Sequence, residues 1–138
     1  MIGLDTNILA RYYIDDAADS QSGKQRLHAR SLIESGQTLM VCKTVLLEFE
    51  WIMRGFYGFK LDDILGVFQH LLSLDHIEIE DRNTVNNAMS GLEQGLDFAD
   101  ALHHASYRSC ESVASFDDKK FAHRINKLGI MPRVFVPG

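Results

Sequence analysis

The sequence contains few cross-linking residues and no long hydrophobic run. Only two cysteines, Cys42 and Cys110, occur in 138 residues, and neither has a C-x-x-C partner. This argues against a disulfide framework and against a cysteine-based zinc site. No apolar stretch approaches the roughly 18 residues of a membrane span, and Asp5 interrupts the N-terminus too early for a secretory signal. We therefore expect a cytoplasmic protein without membrane segments.

The chain is also short of positive charge. Fourteen Lys and Arg residues stand against nineteen Asp and Glu residues, which gives a formal net charge of -5. Such a chain repels a phosphate backbone, so unassisted, nonspecific binding to nucleic acid is not expected. Bound divalent cations would change this, because a metal ion reverses the sign of the local field. The positions of the acids therefore matter more than their number.

Short strands and helices alternate along the sequence. Apolar runs predict strands at residues 2–4, 38–41, 76–80, 112–115 and 134–136, of which the first is expected to be buried and the third half-buried or at an edge. Three- and four-residue spacing predicts helices at residues 8–14, 24–35, 44–57, 62–73, 84–93, 97–110 and 119–127. This order predicts an α/β fold, a three-layer α/β/α sandwich with a mainly parallel central sheet. No linker or repeat divides the chain, so we expect one domain over residues 1–138.

Several acids fall at positions where this fold gathers functional groups. Asp5 and Asp117 follow predicted strands, at the carboxyl edge of a parallel sheet. Asp97 and Asp100 share one helix face, and Glu48 interrupts an apolar stretch. Converging carboxylates destabilise one another unless cations bind them, and Mg²⁺ or Mn²⁺ accepts such oxygen ligands readily. The pattern therefore favours a metal site.

Each acid also has a purely structural interpretation. Asp5 and Asp117 are typical helix N-caps, and Asp97 and Asp100 are favourable first-turn charges. Glu48 has Lys43 or Arg54 as a neighbouring ion-pair partner on a solvated face. Taken singly, these interpretations are at least as good as a metal site. The coincidence of four acids on elements that one fold brings together favours the metal site.

Four segments in order resemble PIN-domain ribonucleases, specifically VapC-like toxins of type II toxin–antitoxin systems. They are Met1–Asn7, Thr44–Trp51, Asp97–Ala105 and Ala114–Phe121. The resemblance runs nearly end to end. It implies a Mg²⁺- or Mn²⁺-dependent endoribonuclease that cleaves structured RNA such as tRNA. It also implies inhibition by a cognate VapB-type antitoxin, a homodimer, no membrane association, and contact with DNA only indirectly through the antitoxin.

The resemblance also assigns residues. The acidic quartet maps to Asp5, Glu48, Asp100 and Asp117. The supporting positions map to Asp97, an accessory acid, to Ser115 in the last motif, and to Thr6 and Asn7 in the first. Glu50 competes for the second position of the quartet, but the Leu-Leu-Glu pattern followed by Trp fits Glu48 better.

The chemistry of phosphodiester hydrolysis suits these residues. It needs a water made nucleophilic at neutral pH and stabilisation of charge on the departing oxygen, which carboxylate-held metal ions provide. We expect Asp5 and Asp100 to ligate the metal directly. Glu48 and Asp117 are expected to complete the shell through waters or to bind a second ion, and Ser115 to help orient the carboxylates or the water. In-line attack would leave a 5′-phosphate and a 3′-hydroxyl.

Other residue types have less specific interpretations. Candidates to hold phosphates are Arg11, Lys43, Arg54, Arg108, Lys119 and Lys120, although most Lys and Arg side chains are simply solvated. We expect His103 and His104 to be core or surface histidines, because a Mg²⁺ site does not need imidazole. The aromatic residues Trp51, Phe56, Tyr57 and Phe59 indicate core, a dimer face, or the groove that takes an antitoxin helix.

Two other functions compete with this hypothesis. One is a non-catalytic RNA- or protein-binding module that keeps the PIN-like fold. The other is a metal-dependent phosphatase or a receiver-like domain, which also places an Asp after its first strand. A dehalogenase-type phosphatase needs a second Asp two residues after the first, where this chain has Asn7. An acid-to-amide variant that kept its full biological effect would favour the binding module.

Overall fold

The computed structural model describes all 138 residues, which form two compact units, Met1–Asp81 and Arg82–Gly138. The first unit contains β1 (Ile2–Gly3), α1 (Thr6–Tyr13), α2 (Ser22–Ile33), β2 (Leu39–Val41), α3 (Lys43–Trp51), a π-helical segment (Ile52–Phe56), α4 (Leu61–Ser73) and β3 (Ile77–Ile79). The second contains α5 (Arg82–Glu93), α6 (Phe98–Ser106), β4 (Val113–Ala114), a second π-helical segment (Asp118–Ala122), α7 (His123–Leu128) and β5 (Val134–Phe135). The predicted α/β class is confirmed.

The first unit is built on a three-stranded parallel sheet. Strand β2 lies in the middle, with Leu39 opposite Ile2 of β1 on one side and opposite Ile77 of β3 on the other. The strands are parallel, so their carboxyl ends meet at one edge. Asp5 follows β1 at this edge, and α3 begins there directly after β2.

The core of the first unit lies between this sheet and its helices. Phe49 of α3 and Phe68 of α4 are fully buried, and their rings meet edge to face with centroids 6.2 Å apart. Strand β3 alternates as predicted, since Ile77 and Ile79 are buried while Glu78 is exposed. Strand β1 differs from the prediction. Ile2 is exposed because β1 is an edge strand with a neighbour on one side only.

The second unit is built on a two-stranded parallel sheet. Val113 of β4 lies opposite Val134 of β5, and the amide of Ser115 donates to the carbonyl of Phe135 at 3.0 Å. The Asn126 side chain fastens β5 to α7 by accepting from the Val134 amide and donating to its carbonyl. The sheet is thus tied to the helix that connects its two strands.

Helices α5 and α6 of the second unit approach closely at Gly91. A Cβ atom added at Gly91 would lie 3.0 Å from Ala101 Cβ and 3.0 Å from Leu96 Cδ1. Any larger residue at this position would push the two helices apart.

Two predicted helices contain π-helical segments that the sequence analysis missed. After Trp51 the hydrogen bonds change spacing, and the Tyr57 amide donates to the Ile52 carbonyl, five residues back, at 3.1 Å. The Ala122 amide does the same to Asp117 at 3.0 Å. Each segment takes an extra residue into one turn and so shifts the side chains that follow it. Apolar spacing at 3.6 residues per turn does not reveal such an insertion.

Part of the predicted aromatic cluster is exposed at the two ends of the first π-helical segment. Trp51 is 57% exposed and Phe56 is 71% exposed, whereas Met53 between them is fully buried. The interpretation of Trp51 and Phe56 as core is therefore wrong. No helix combines the length and the apolar composition needed to cross a membrane.

We predict that Phe49→Ala destabilises the protein by about 3–5 kcal/mol, because it removes a fully buried ring and leaves a cavity between α3 and α4. Urea denaturation followed by circular dichroism measures the change. The control Leu27→Ala alters an exposed side chain and is expected to change the free energy of unfolding by less than about 0.5 kcal/mol. Equal losses in the two variants would contradict the assigned core.

Candidate functional site

Asp5 stands where β1 ends and α1 begins. It is the N-cap of α1, and its Oδ1 accepts a hydrogen bond from the Thr6 amide at 2.8 Å. The capping role considered for this residue is thus real. It uses one carboxylate oxygen, and Oδ2 of the exposed Asp5 is left available to a ligand.

Thr6 adds an unused oxygen next to Asp5. Its side chain is only 4% exposed, and its Oγ1 forms no hydrogen bond with any protein group. Leaving a buried hydroxyl without a partner costs about 1–3 kcal/mol, so such groups are uncommon in folded proteins. Thr6 lines the same cavity as Asp5.

The cavity has a volume of about 400 Å³ and lies entirely within the first unit. Its charged lining consists of four carboxylates and one guanidinium, from Asp5, Asp16, Asp19, Glu48 and Arg11. Asn7 also lines it, and Trp51, Phe56 and Tyr57 supply aromatic surface. The cavity is therefore acidic on one part of its wall and aromatic on another.

Glu48 and Glu50 have opposite environments on α3. Glu48 is exposed, lines the cavity and forms no ion pair or hydrogen bond. Glu50 is 2% exposed and is paired with Arg54, with 2.9 Å between Arg54 Nε and Glu50 Oε2. Lys43 is likewise paired with Asp81 at 3.2 Å. The proposed pairing of Glu48 with Lys43 or Arg54 is thus wrong, and Glu48 has its carboxylate available in the cavity.

Two further acids of the cavity are held by hydrogen bonds. The Tyr57 hydroxyl donates to Asp16 at 2.8 Å, and this bond to a carboxylate, together with burial, raises the pKa of Tyr57. Asp19 accepts from the Gln21 amide and from Arg11, and these bonds lower the pKa of Asp19. The sequence analysis missed Asp16 and Asp19, because they lie in a polar loop without periodicity. The only sequence feature that marked them is a group of acidic residues shortly after α1.

The second unit carries the other predicted acids. Asp97 is the N-cap of α6 and accepts from the amides of Ala99 at 2.9 Å and Asp100 at 3.4 Å. The half-buried Asp100 lies in the first turn of the same helix. Its pKa is raised, first by burial and then by the negative charges of Asp97 and Asp117. Burial and the charges of Asp97 and Asp117 therefore oppose the ionisation of Asp100.

Two hydrogen bonds hold Asp117, one at its carboxylate and one at its backbone amide. Its carboxylate accepts from the Lys120 amide at 3.0 Å, and its own amide donates to Ser115 Oγ at 3.0 Å. Ser115 thus fixes the loop that carries Asp117.

The two histidines after Asp100 behave as predicted. His104 is buried, and its Nε2 lies 2.7 Å from the carbonyl oxygen of Pro132. His103 is exposed, and its charge opposes the rise in the pKa of Asp100. One histidine therefore belongs to the core and the other to the surface.

The predicted site residues are divided between the two units. Asp5, Thr6, Asn7 and Glu48 line one cavity of the first unit, whereas Asp97, Asp100, Ser115 and Asp117 belong to the second. Neither unit by itself holds three or more His, Cys, Asp or Glu side chains placed to bind one metal ion. Each unit does present carboxylates that are close to one another or share a cavity.

The two glutamates of α3 give a direct test of these environments. We predict that Glu50→Gln lowers the free energy of unfolding by about 1–2 kcal/mol, because it removes a charge-assisted bond from a buried position. Glu48→Gln is expected to change it by less than about 0.5 kcal/mol. Urea denaturation of both variants measures this. An equal loss from the two changes would contradict the assignment.

Asp100 gives a test with a defined pH dependence. An acid with a raised pKa makes the folded protein less stable as pH rises through that pKa, because ionisation is easier in the unfolded chain. In chelator at pH 7 we therefore expect Asp100→Asn to raise Tm, by at most about 3 °C. The rise should disappear as the pH falls below the pKa of this carboxyl. The exposed control Asp75→Asn should leave Tm unchanged, and a fall in Tm for Asp100→Asn would contradict the repulsion.

Comparison with known proteins does not identify this chain. No protein-family model matches the sequence, and no curated protein is significantly similar to it. Its function is therefore argued from the side chains of the two units.

Proposed function

We propose that this protein is a Mg²⁺- or Mn²⁺-dependent endoribonuclease, a PIN-domain toxin of the VapC type that hydrolyses structured RNA such as tRNA. One observation carries the proposal. Asp100 is half-buried and its ionisation is opposed by Asp97 and Asp117, an arrangement that costs stability unless a cation binds there. Proteins commonly retain such a locally destabilising arrangement of charges because it serves a function.

The donor atoms that the first unit leaves without a partner suit a hard cation. Asp5 Oδ2 and the Glu48 carboxylate have no protein partner, and Thr6 Oγ1 is buried without one. All are oxygen atoms, which Mg²⁺ and Mn²⁺ prefer to nitrogen or sulfur. In this proposal Asp5 and Asp100 ligate the metal directly, and Glu48 and Asp117 complete its shell through waters or hold a second ion.

The proposal includes a single PIN-like domain over residues 1–138. Its architecture is the three-layer α/β/α sandwich with a mainly parallel central sheet that the order of elements predicts. The local structure of each unit supports this. Asp5 and Asp117 each follow a parallel strand, and such strands gather functional groups at their carboxyl ends.

The chain's own residues prepare the site for hydrolysis. A bound cation supplies the charge that makes water nucleophilic at neutral pH and that stabilises the departing oxygen. The amides of Thr6 and Lys120 hold the carboxylates of Asp5 and Asp117, and Ser115 holds the loop before Asp117. Side chains fixed in this way lose little conformational entropy when they bind a substrate complex. In-line attack by water leaves a 5′-phosphate and a 3′-hydroxyl.

The proposed biological setting follows from the resemblance of the sequence to VapC-like toxins. It is a cytoplasmic toxin that forms a homodimer, is inhibited by a cognate VapB-type antitoxin, and contacts DNA only through that antitoxin. The exposed rings of Trp51 and Phe56 support a protein partner, because large exposed aromatic surfaces commonly mark interaction sites.

A second candidate function has one observation in its favour. Asp5, Asp97 and Asp117 each cap a helical segment, which is sufficient reason for an acid at each position. A non-catalytic RNA- or protein-binding module with this fold would keep the three caps. It would have no need for the Glu48 carboxylate, which caps no helix and has no ion-pair or hydrogen-bond partner.

We predict that the purified, antitoxin-free chain cuts tRNA at discrete positions with Mg²⁺ or Mn²⁺ and not with chelator. Asp5→Asn and Asp100→Asn should each lower the cleavage rate by about 100-fold or more, because each removes a charged metal ligand. The matched changes Asp15→Asn and Asp118→Asn alter exposed acids outside the proposed ligand set and should keep the parent rate. Mapping of fragment ends should give 5′-phosphates.

The outcomes separate the alternatives. Cleavage that survives chelator and both ligand variants would overturn the proposed chemistry. RNA binding without cleavage of tRNA, ribosomal RNA or messenger RNA would favour the non-catalytic module. Release of inorganic phosphate from phosphomonoesters, without RNA cleavage, would favour a phosphatase.

A further inference from the structure

The charges of the chain are distributed unevenly. Thirteen of the nineteen acids lie in residues 1–81, whereas residues 119–138 contain no acid at all. That C-terminal segment carries five basic residues, Lys119, Lys120, Arg124, Lys127 and Arg133. A protein of net charge -5 thus ends in a stretch that is locally and strongly basic.

These five cations are exposed and unpaired. None of them forms an ion pair or a side-chain hydrogen bond. The candidates in the first unit differ, because Arg11, Lys43 and Arg54 are bound to Asp19, Asp81 and Glu50. A polyanion can therefore bind the C-terminal cations without displacing an existing partner.

Three of the cations lie within eight residues of one helical stretch. Lys120 is in the second π-helical segment, Arg124 and Lys127 are in α7, and all three side chains are exposed. Arg124 and Lys127 are three residues apart in α7, a spacing that makes them neighbours on the surface of that helix. We name Lys120, Arg124 and Lys127 the basic face.

The basic face begins at one of the proposed metal ligands. The amide of Lys120 donates to the carboxylate of Asp117, so the backbone that carries the face is bonded to that acid. Asp117 therefore lies directly beside the first residue of the basic face.

An exposed aromatic ring lies beside the same acid. Phe116, directly before Asp117, is 82% exposed. Proteins commonly hold single-stranded nucleic acid with two kinds of side chain. Cationic side chains bind the phosphates of its backbone, and an exposed aromatic ring stacks on a base. An acidic protein segment would use the cations but would have no planar base for the ring.

We propose that the basic face binds the phosphate backbone of single-stranded RNA and that Phe116 stacks on an adjacent base, next to Asp117. The inference extends the proposed function, because it names how the substrate is held and which form of RNA is preferred. Unpaired loops of a structured RNA meet both requirements, whereas a continuous duplex hides its bases.

The test is RNA binding in chelator, where no metal-dependent cleavage occurs. Fluorescence anisotropy measures the affinity of the full chain for a labelled 20-nucleotide single strand at several salt concentrations. The triple variant Lys120→Gln, Arg124→Gln and Lys127→Gln should bind about 10- to 100-fold more weakly at low salt. The slope of log affinity against log salt should fall by about two, because three phosphate contacts are lost.

A matched variant separates local contacts from net charge. Lys24→Gln, Arg30→Gln and Lys60→Gln neutralise three exposed cations of the first unit and should leave affinity and slope within about twofold of the parent. Phe116→Ala should weaken single-strand binding about fivefold or more without changing the salt slope. Circular dichroism and Tm establish that each variant is folded.

Three results would overturn the inference. The first is an equal loss of affinity in the two triple variants, which would mean that only net charge matters. The second is an unchanged salt slope in the basic-face variant. The third is binding of a polyglutamate peptide as tight as that of RNA, which would identify an acidic protein segment as the occupant.

The proposed function can fail separately from this inference. RNA binding through the basic face, without any cleavage in Mg²⁺ or Mn²⁺, supports the inference and contradicts the nuclease. Metal-dependent cleavage that the basic-face variant carries out as well as the parent supports the nuclease and contradicts the inference.

Discussion

The hydrogen bond from a backbone amide to an aspartate at the start of a helix is the interaction on which this structure depends most. It begins a helical segment and fixes a carboxylate in one step, at Asp5, Asp97 and Asp117. The first and last of these follow parallel strands, so the same bonds that organise each unit also present acids at its sheet edge. Structural and chemical roles are therefore not alternatives at these positions.

The acids differ in how much their surroundings oppose their charge. Asp19 has its pKa lowered by donors, and Glu50 has its own guanidinium partner. Asp100 has its pKa raised by burial and by two neighbouring acids. Glu50 and Asp19 thus resemble acids that stabilise a fold, whereas Asp100 resembles one that is kept at a cost to stability for the sake of a ligand.

Most of the fold was predictable because its signals are local. Apolar spacing located all seven helices and all five strands, and the alternation of strands and helices gave the α/β class with parallel pairing. The π-helical segments were not predictable, since one extra residue in a turn leaves no mark in the apolar pattern. The exposure of Trp51 and Phe56 corrects the interpretation of these two rings as core. The sequence favoured Glu48 over Glu50 for the second acidic position only through its local pattern. The folded structure distinguishes the two residues because Glu50 is paired with Arg54. Asp16 and Asp19 needed the folded loop to bring them to the cavity.

The π-helical segment at Ile52–Phe56 also bears on how this protein can change over evolutionary time. A π-helical turn is an α-helix with one residue inserted. Removal of a single codon here would restore α-helical spacing and change which side chains this turn presents. Phe56 and Tyr57 line the cavity that contains Asp5 and Glu48, so the change would fall on its aromatic wall. The aromatic lining of this cavity can therefore be remodelled by a change in chain length as well as by substitution.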